Sequence, residues 1–160
     1  MSMNRKNQQG FTLVELLIVV IILGILAAVV IPQFNSAANE SREAAVTSNL
    51  ATIRQAIEMY KVQHNDELPG NATGVTLEQA LTQTTDLAGA VVANNAGPFG
   101  PYLRNSFPAS PVDGVNTVTS AATTTAATGE TTGWMYNTAT GEFRCHTTDL
   151  AASGVAYNTL

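Results

Sequence analysis

Residues 11 to 31 read FTLVELLIVVIILGILAAVVI, about the 20 apolar residues a helix needs to cross a bilayer. No charged residue occurs from Leu16 to Asn39, so Glu15, inside the start of the run, stands alone and needs a partner. Ahead of the run stands MSMNRKNQQG, whose only charged side chains are Arg5 and Lys6. The positive-inside bias keeps that leader in the cytoplasm, which gives a single pass with the remainder of the chain outside. An ordinary secretory signal ends in a small-residue cleavage pattern beyond its apolar stretch. Here Gly10 precedes the stretch and AAVVIPQF closes it, so ordinary signal cleavage is disfavoured. An uncleaved signal anchor, with Glu15 tolerated near the interface, is the competing reading.

That one block explains the composition. Charged residues make up 12% of the chain, against ~25% in an average soluble protein, and mean hydropathy is +0.09. A chain of 160 residues suits one domain of roughly 100 to 200 residues. A net charge of -5 disfavours nucleic acid as a partner, because that affinity comes from lysine and arginine neutralising phosphates. With one cysteine and two histidines, an intramolecular disulfide is excluded and a cysteine and histidine zinc site is disfavoured.

Beyond Pro32 a helical period continues. Val46, Leu50, Ile53, Ile57 and Tyr60 recur at three- and four-residue steps and share one face, while Arg42, Glu43, Arg54, Glu58 and Lys61 occupy much of the rest. One helix over about 11–64 would be roughly 80 Å long at 1.5 Å per residue. Gly24 lowers helix propensity and Pro32 removes a backbone donor, so a kink or local melting between them competes with a regular helix.

After His64 the signals are those of a small head. Leu68, Pro69 and Gly70 mark a turn, and Thr76 with Gln79 forms a capping-box pattern that predicts a short helix from about Leu77 to Gln83. The stretch NNAGPFGPYLRNSFPASPVDG reads as a structured loop. GWMYN and EFRCH, separated by TATG, predict a hairpin. The Thr- and Ala-rich segment from Asn116 to Gly133 reads as a solvated loop, with O-linked modification as an alternative. In the tail, Val155 or Tyr157 is expected to dock on the head.

No catalytic site emerges. There is no G-x-S-x-G elbow and no phosphate-binding glycine loop. Cys145 and His146 are adjacent on a predicted strand and so face opposite ways, which makes a buried structural cysteine the better reading. Asp66, Glu67 and Asp113 read as turn and surface carboxylates, with a calcium loop near Asp113 as a minor alternative for which too few oxygen ligands can be named. No cofactor, metal ligand or catalytic residue is therefore assigned.

The residues GFTLVELLIVVIILGILAAVVIP, Gly10 to Pro32, closely resemble the amino terminus of type IV pilins and type II secretion pseudopilins. The resemblance implies an α+β pilin fold, with a helix over about 11–64 and a head carrying a short antiparallel sheet. It divides the chain into a leader (1–10), a transmembrane or filament-core helix (11–32) and an amphipathic helix half with its head (33–160). It implies cleavage between Gly10 and Phe11 by prepilin peptidase, N-methylation of Phe11, and an assembly role for Glu15 against the Phe11 amine of a neighbouring copy. Pairing of Glu15 with its own amine and helix end is the alternative. Gly24 and Pro32 match positions where family filaments lose helix locally.

The implied partners are identical subunits, the peptidase, a platform protein, a motor ATPase and the inner membrane, with a filament outside it after assembly. GPYL, from Gly100 to Leu103, with Pro108 and Pro111, resembles the loop of major pseudopilins. However, ASPVDG does not reproduce that family's aspartate-proline-tryptophan-glycine run, and the lone Cys145 cannot close the loop disulfide of many pilins. A filament subunit is the expected function, with pilus and pseudopilus both open. A monomeric, membrane-anchored binding module is the alternative from another class.

Overall fold

A computed structural model describes residues 11–104, 106–122 and 133–160. Helix α1 spans Leu13–Gln63 and carries through both Gly24 and Pro32, so the isolated chain has a regular helix where the sequence left melting open. The described chain divides into two compact units between Ala38 and Asn39. In the first, every described side chain from Phe11 to Ile31 is exposed, and the most apolar 18-residue stretch of α1 has a mean hydropathy of 3.2.

The second unit is the head, built on the later half of α1. All five residues of the predicted stripe, Val46, Leu50, Ile53, Ile57 and Tyr60, are buried. They pack with Leu77 and Leu81 of helix α2 (Leu77–Thr82) and with Trp134, Tyr136 and Phe143 of the sheet. The predicted capping box starts α2. Thr76 Oγ1 accepts from the Gln79 amide at 3.3 Å, and Gln79 Oε1 accepts from the Thr76 amide at 3.1 Å.

The sheet has three strands in the order β1 (Val118–Ala121), β2 (Trp134–Asn137) and β3 (Phe143–Cys145). β2 and β3 form the predicted antiparallel hairpin, pairing Trp134 with Cys145 and Tyr136 with Phe143. Asn137 shapes its turn, with Oδ1 accepting from the amides of Ala139 and Thr140 at 2.8 and 3.0 Å. Gly141 then takes φ 76°, in the left-handed region open to glycine.

β1 corrects the sequence reading. The segment taken as solvated loop contributes a strand parallel to β2, with Val118 opposite Trp134, so the sheet is mixed. Main-chain bonds hold it, so it needs little apolar burial of its own; only Val118 packs on the core. The approach requires Gly133, where a Cβ would overlap the Val115 carbonyl oxygen. The O-glycosylation alternative falls largely on residues 123–132, outside the described residues.

The loop before β1 is structured as expected. Leu81 O accepts from the amides of Tyr102 and Leu103 at 2.9 and 2.8 Å, and Trp134 Nε1 donates to Pro108 O at 2.8 Å. In the tail, Tyr157 is buried and Val155 is not. Arg54 ties α1 to the sheet and the tail. Its Nε and Nη2 donate to Phe143 O at 3.1 and 2.9 Å, and Nη2 also donates to Leu160 O at 3.0 Å.

Candidate functional site: the amino end of the apolar helix

The α1 start is set by Thr12 and Glu15, three residues apart. Thr12 Oγ1 accepts from the Glu15 amide at 3.2 Å, while Glu15 Oε2 accepts from the Thr12 amide at 3.1 Å and from the Thr12 hydroxyl at 3.0 Å. This reciprocal pattern is a capping box, which satisfies amide donors that a helix start leaves without intrahelical partners. The T-x-x-E spacing was present in the sequence, and the role of Thr12 was missed because the apolar run around it dominates the reading.

Glu15 is thus held by its own helix end through one oxygen. Its second oxygen, Oε1, takes no donor from the described residues. The carboxylate has a fixed side and an open side, and the open side can accept from a cation brought to it. Phe11, four residues earlier, is 83% exposed and lies ahead of the helix. Gly10, Arg5 and Lys6 lie outside the described residues. At Gly24 a Cβ would meet nothing within 4 Å, so nothing within the single chain requires a glycine there.

Among the described residues, the head offers no comparable chemistry. Cys145 is buried, with Sγ 3.9 Å from Ser110 Oγ and 3.7 Å from Gly133 O, and burial pushes its thiol pKa up, away from the reactive thiolate. His146 is buried as well, so both faces at the end of β3 are covered. Asp113 Oδ1 accepts from the Val115 amide at 3.0 Å, a turn role. Among the described residues, no three of His, Cys, Asp and Glu come together in a way that could hold a metal. His64, which the sequence marked only as a helix end, lies buried and stacked on Tyr60 at 3.8 Å between ring centres, with Nε2 3.0 Å from Thr85 Oγ1.

A helix whose apolar first half is exposed, a capped acid at its start and a small α+β head define the class of prepilin-type proteins. Residues 5–31 match the family model of the prokaryotic N-terminal methylation motif. The type IV wide pilus major component PilA4 of Thermus thermophilus is 32% identical over 123 residues, covering 74% of this chain and 93% of that protein. Fimbrial protein Q of Moraxella bovis is 30% identical over 110 residues, 61% of this chain and 70% of the relative. Type II secretion system core protein G of Pseudomonas aeruginosa is 42% identical over 62 residues, 39% of this chain. The chain spans about half the length of such core protein G relatives, 44% in Pseudomonas aeruginosa and 51% in Klebsiella michiganensis. No solved structure gives a significant match. The chain belongs to the type IV pilin and pseudopilin family.

Proposed function

We propose that the chain is a prepilin, the precursor of the structural subunit of a type IV pilus-like filament. The observation that carries this reading is the helix segment from Leu13 to Ile31, whose apolar side chains are all exposed in the described chain. Such a surface is stable only in lipid or against other apolar helices, and a bundle of identical copies supplies the second environment. The precursor is a single-pass protein of the bacterial inner membrane with residues 1–10 in the cytoplasm. Residues 11–32 are its anchor and later the filament core, and 33–160 carry the head to the outside.

In this reading prepilin peptidase hydrolyses the Gly10–Phe11 amide. Water supplies the hydroxyl that leaves Gly10 as a carboxylate, and Phe11 is left with an ammonium group. N-methylation of Phe11 keeps that charge. The Phe11 ammonium of an incoming copy then meets Glu15 Oε1, while Thr12 holds Oε2 and so fixes the direction in which the acid points. Gly24 and Pro32 are the positions at which the helix opens as it packs in the filament. A platform protein and a motor ATPase drive the transfer out of the membrane.

The relatives carry the names of pilus and secretion-system components rather than of enzymes. A pilus is favoured over a pseudopilus because the wide-pilus relative is matched over 93% of its length. The mass of the mature protein tests the reading. A chain beginning at methylated Phe11 supports it, Gly10→Ala should leave the full precursor, and a native chain that keeps Met1 or starts beyond Ile31 refutes it. Imaging of long surface filaments, lost when the protein is deleted, separates pilus from pseudopilus.

A further inference from the structure

Among the described residues the head carries a groove of mixed polarity beside Met59 and, elsewhere, a hairpin that exposes two aliphatic side chains. The groove has a volume of about 490 Å³, with Thr52, Ala56, Met59 and Gln63 of α1 on one wall and Pro101 and Tyr102 on the other. The Tyr102 hydroxyl donates to Gln63 Oε1 at 2.8 Å and braces the two walls. Met59 is 53% exposed on its side of the groove.

The apolar hairpin is closed by the bridge between Leu150 and Ala156 and presents Leu150 and Val155 at 68% and 44% exposure. Short bonds keep it in shape. Ala151 N donates to Val155 O at 2.8 Å, Tyr157 N donates to Asp149 O at 3.0 Å, and Ser153 N donates to Glu43 Oε2 at 3.1 Å.

Each patch has, next to it in sequence, an exposed charge without a side-chain partner among the described residues, and the signs are opposite. Arg104 follows Tyr102 and Leu103 in the chain, is exposed, and has no side-chain partner among the described residues. Asp149 precedes Leu150, is exposed, and its carboxylate likewise has no partner among them. Lys61 and Arg144 are already paired with Glu58 and Glu142, Arg54 is spent on main-chain carbonyls, and Arg42, also exposed and without a partner among the described residues, lies about five turns from Met59 along α1.

A helical filament of identical chains grows through heterologous contacts, which need two different and complementary patches on every copy. We propose that the Leu150–Ala156 hairpin of one copy seats in the Met59 and Pro101 groove of the next, with Asp149 facing Arg104 across the contact. The contact rests on the filament reading above and adds to it a junction between heads, apart from the helix core.

A disulfide ladder tests the contact in cells that make filaments. Met59→Cys combined with Leu150→Cys should yield dimers, trimers and higher multimers on oxidation, whereas neither single variant should form a ladder, since the native Cys145 is buried. Filaments that form without the ladder, or a cross-link to a different protein, overturn the proposal and leave the filament reading standing. Absence of filaments from the unaltered chain would instead count against that reading.

Charge exchange is the second arm. Arg104→Asp and Asp149→Arg should each cut filament yield by about tenfold or more with cleavage intact, and their combination should restore it. Both positions are exposed, so Trp134 emission should show an unchanged fold in all three variants. Single variants that assemble normally, or a double variant without recovery, refute the pairing.

Discussion

Replacing Arg54 with methionine keeps an unbranched chain of similar length on α1 and removes every donor. In the native head, two nitrogens of Arg54 reach Phe143 O and one of them also reaches Leu160 O. Because Nη2 is shared, the arrangement counts as about two hydrogen bonds from a charged donor, roughly 1.5 to 3 kcal/mol for the part-buried one to Phe143 O and about 1 kcal/mol for the exposed one to Leu160 O. Recovery of the helix packing by methionine offsets part of the loss, which leaves an expected destabilisation of about 2 to 3 kcal/mol. For a unit of this size each kcal/mol moves the melting midpoint by roughly 3 to 4 °C, so the shift should be about 6 to 12 °C.

The assay is urea or thermal unfolding of the detergent-solubilised chain, followed by fluorescence. Trp134 is the single tryptophan and is fully buried on β2, so its emission reports the head alone. Arg54→Lys should fall between the two, because one ammonium cannot reproduce the fork on the Phe143 carbonyl. A methionine variant within about 0.5 kcal/mol of the native chain, the usual scatter of surface substitutions, would show that the clasp contributes nothing and refute the reasoning.

Glu15→Gln and Thr12→Val separate charge from cap at the other end of the chain. Glutamine still serves a capping box, so Glu15→Gln should be processed and inserted normally yet lose filament yield by about tenfold or more. Thr12→Val should assemble with frayed first turns in amide exchange; the opposite ranking in a filament pelleting assay would assign assembly to the cap. Alkali should weaken the head. Burial raises the pKa of Cys145, Tyr60 and Tyr136 and pushes Tyr102 up to about 12, so the unfolded chain releases these protons first. Their contribution is complete below the unfolded pKa values, near 8.5 for the thiol and 10 for the phenols, and is lost as pH rises through the folded ones. Trp134 emission in urea at increasing pH should show a falling midpoint above about pH 9, and a flat profile to pH 11 would contradict it.

What the sequence disclosed follows the strength of its local signals. The Val46 to Tyr60 stripe was legible because one helix face must be buried, and α2 because Thr76 and Gln79 cap it through neighbours in sequence. The hairpin was legible from two β-prone runs around a short turn. β1 was not, since a four-residue strand held by main-chain bonds to a partner far along the chain leaves no apolar period. Arg54 and His64 were hidden for the same reason. Their partners, Phe143, Leu160 and Thr85, are brought near only by the fold. Thr12 is different: its signal is local, and the apolar residues beside it obscured it.

The clasp of Arg54 on Phe143 has a further consequence for how copies of this protein associate. β3 lies at the margin of a three-stranded sheet, where an open row of amides and carbonyls would invite a strand from another chain. Arg54 occupies one of those carbonyls, and the last turn, with Tyr157 buried and Asn158 O accepting from Arg144, packs beside the strand. The heads therefore offer no template for strand addition on that side. On that side copies can meet only through side chains and helices, contacts that in the filament proposed above separate one subunit at a time, unlike a stack locked by a continuous β ladder.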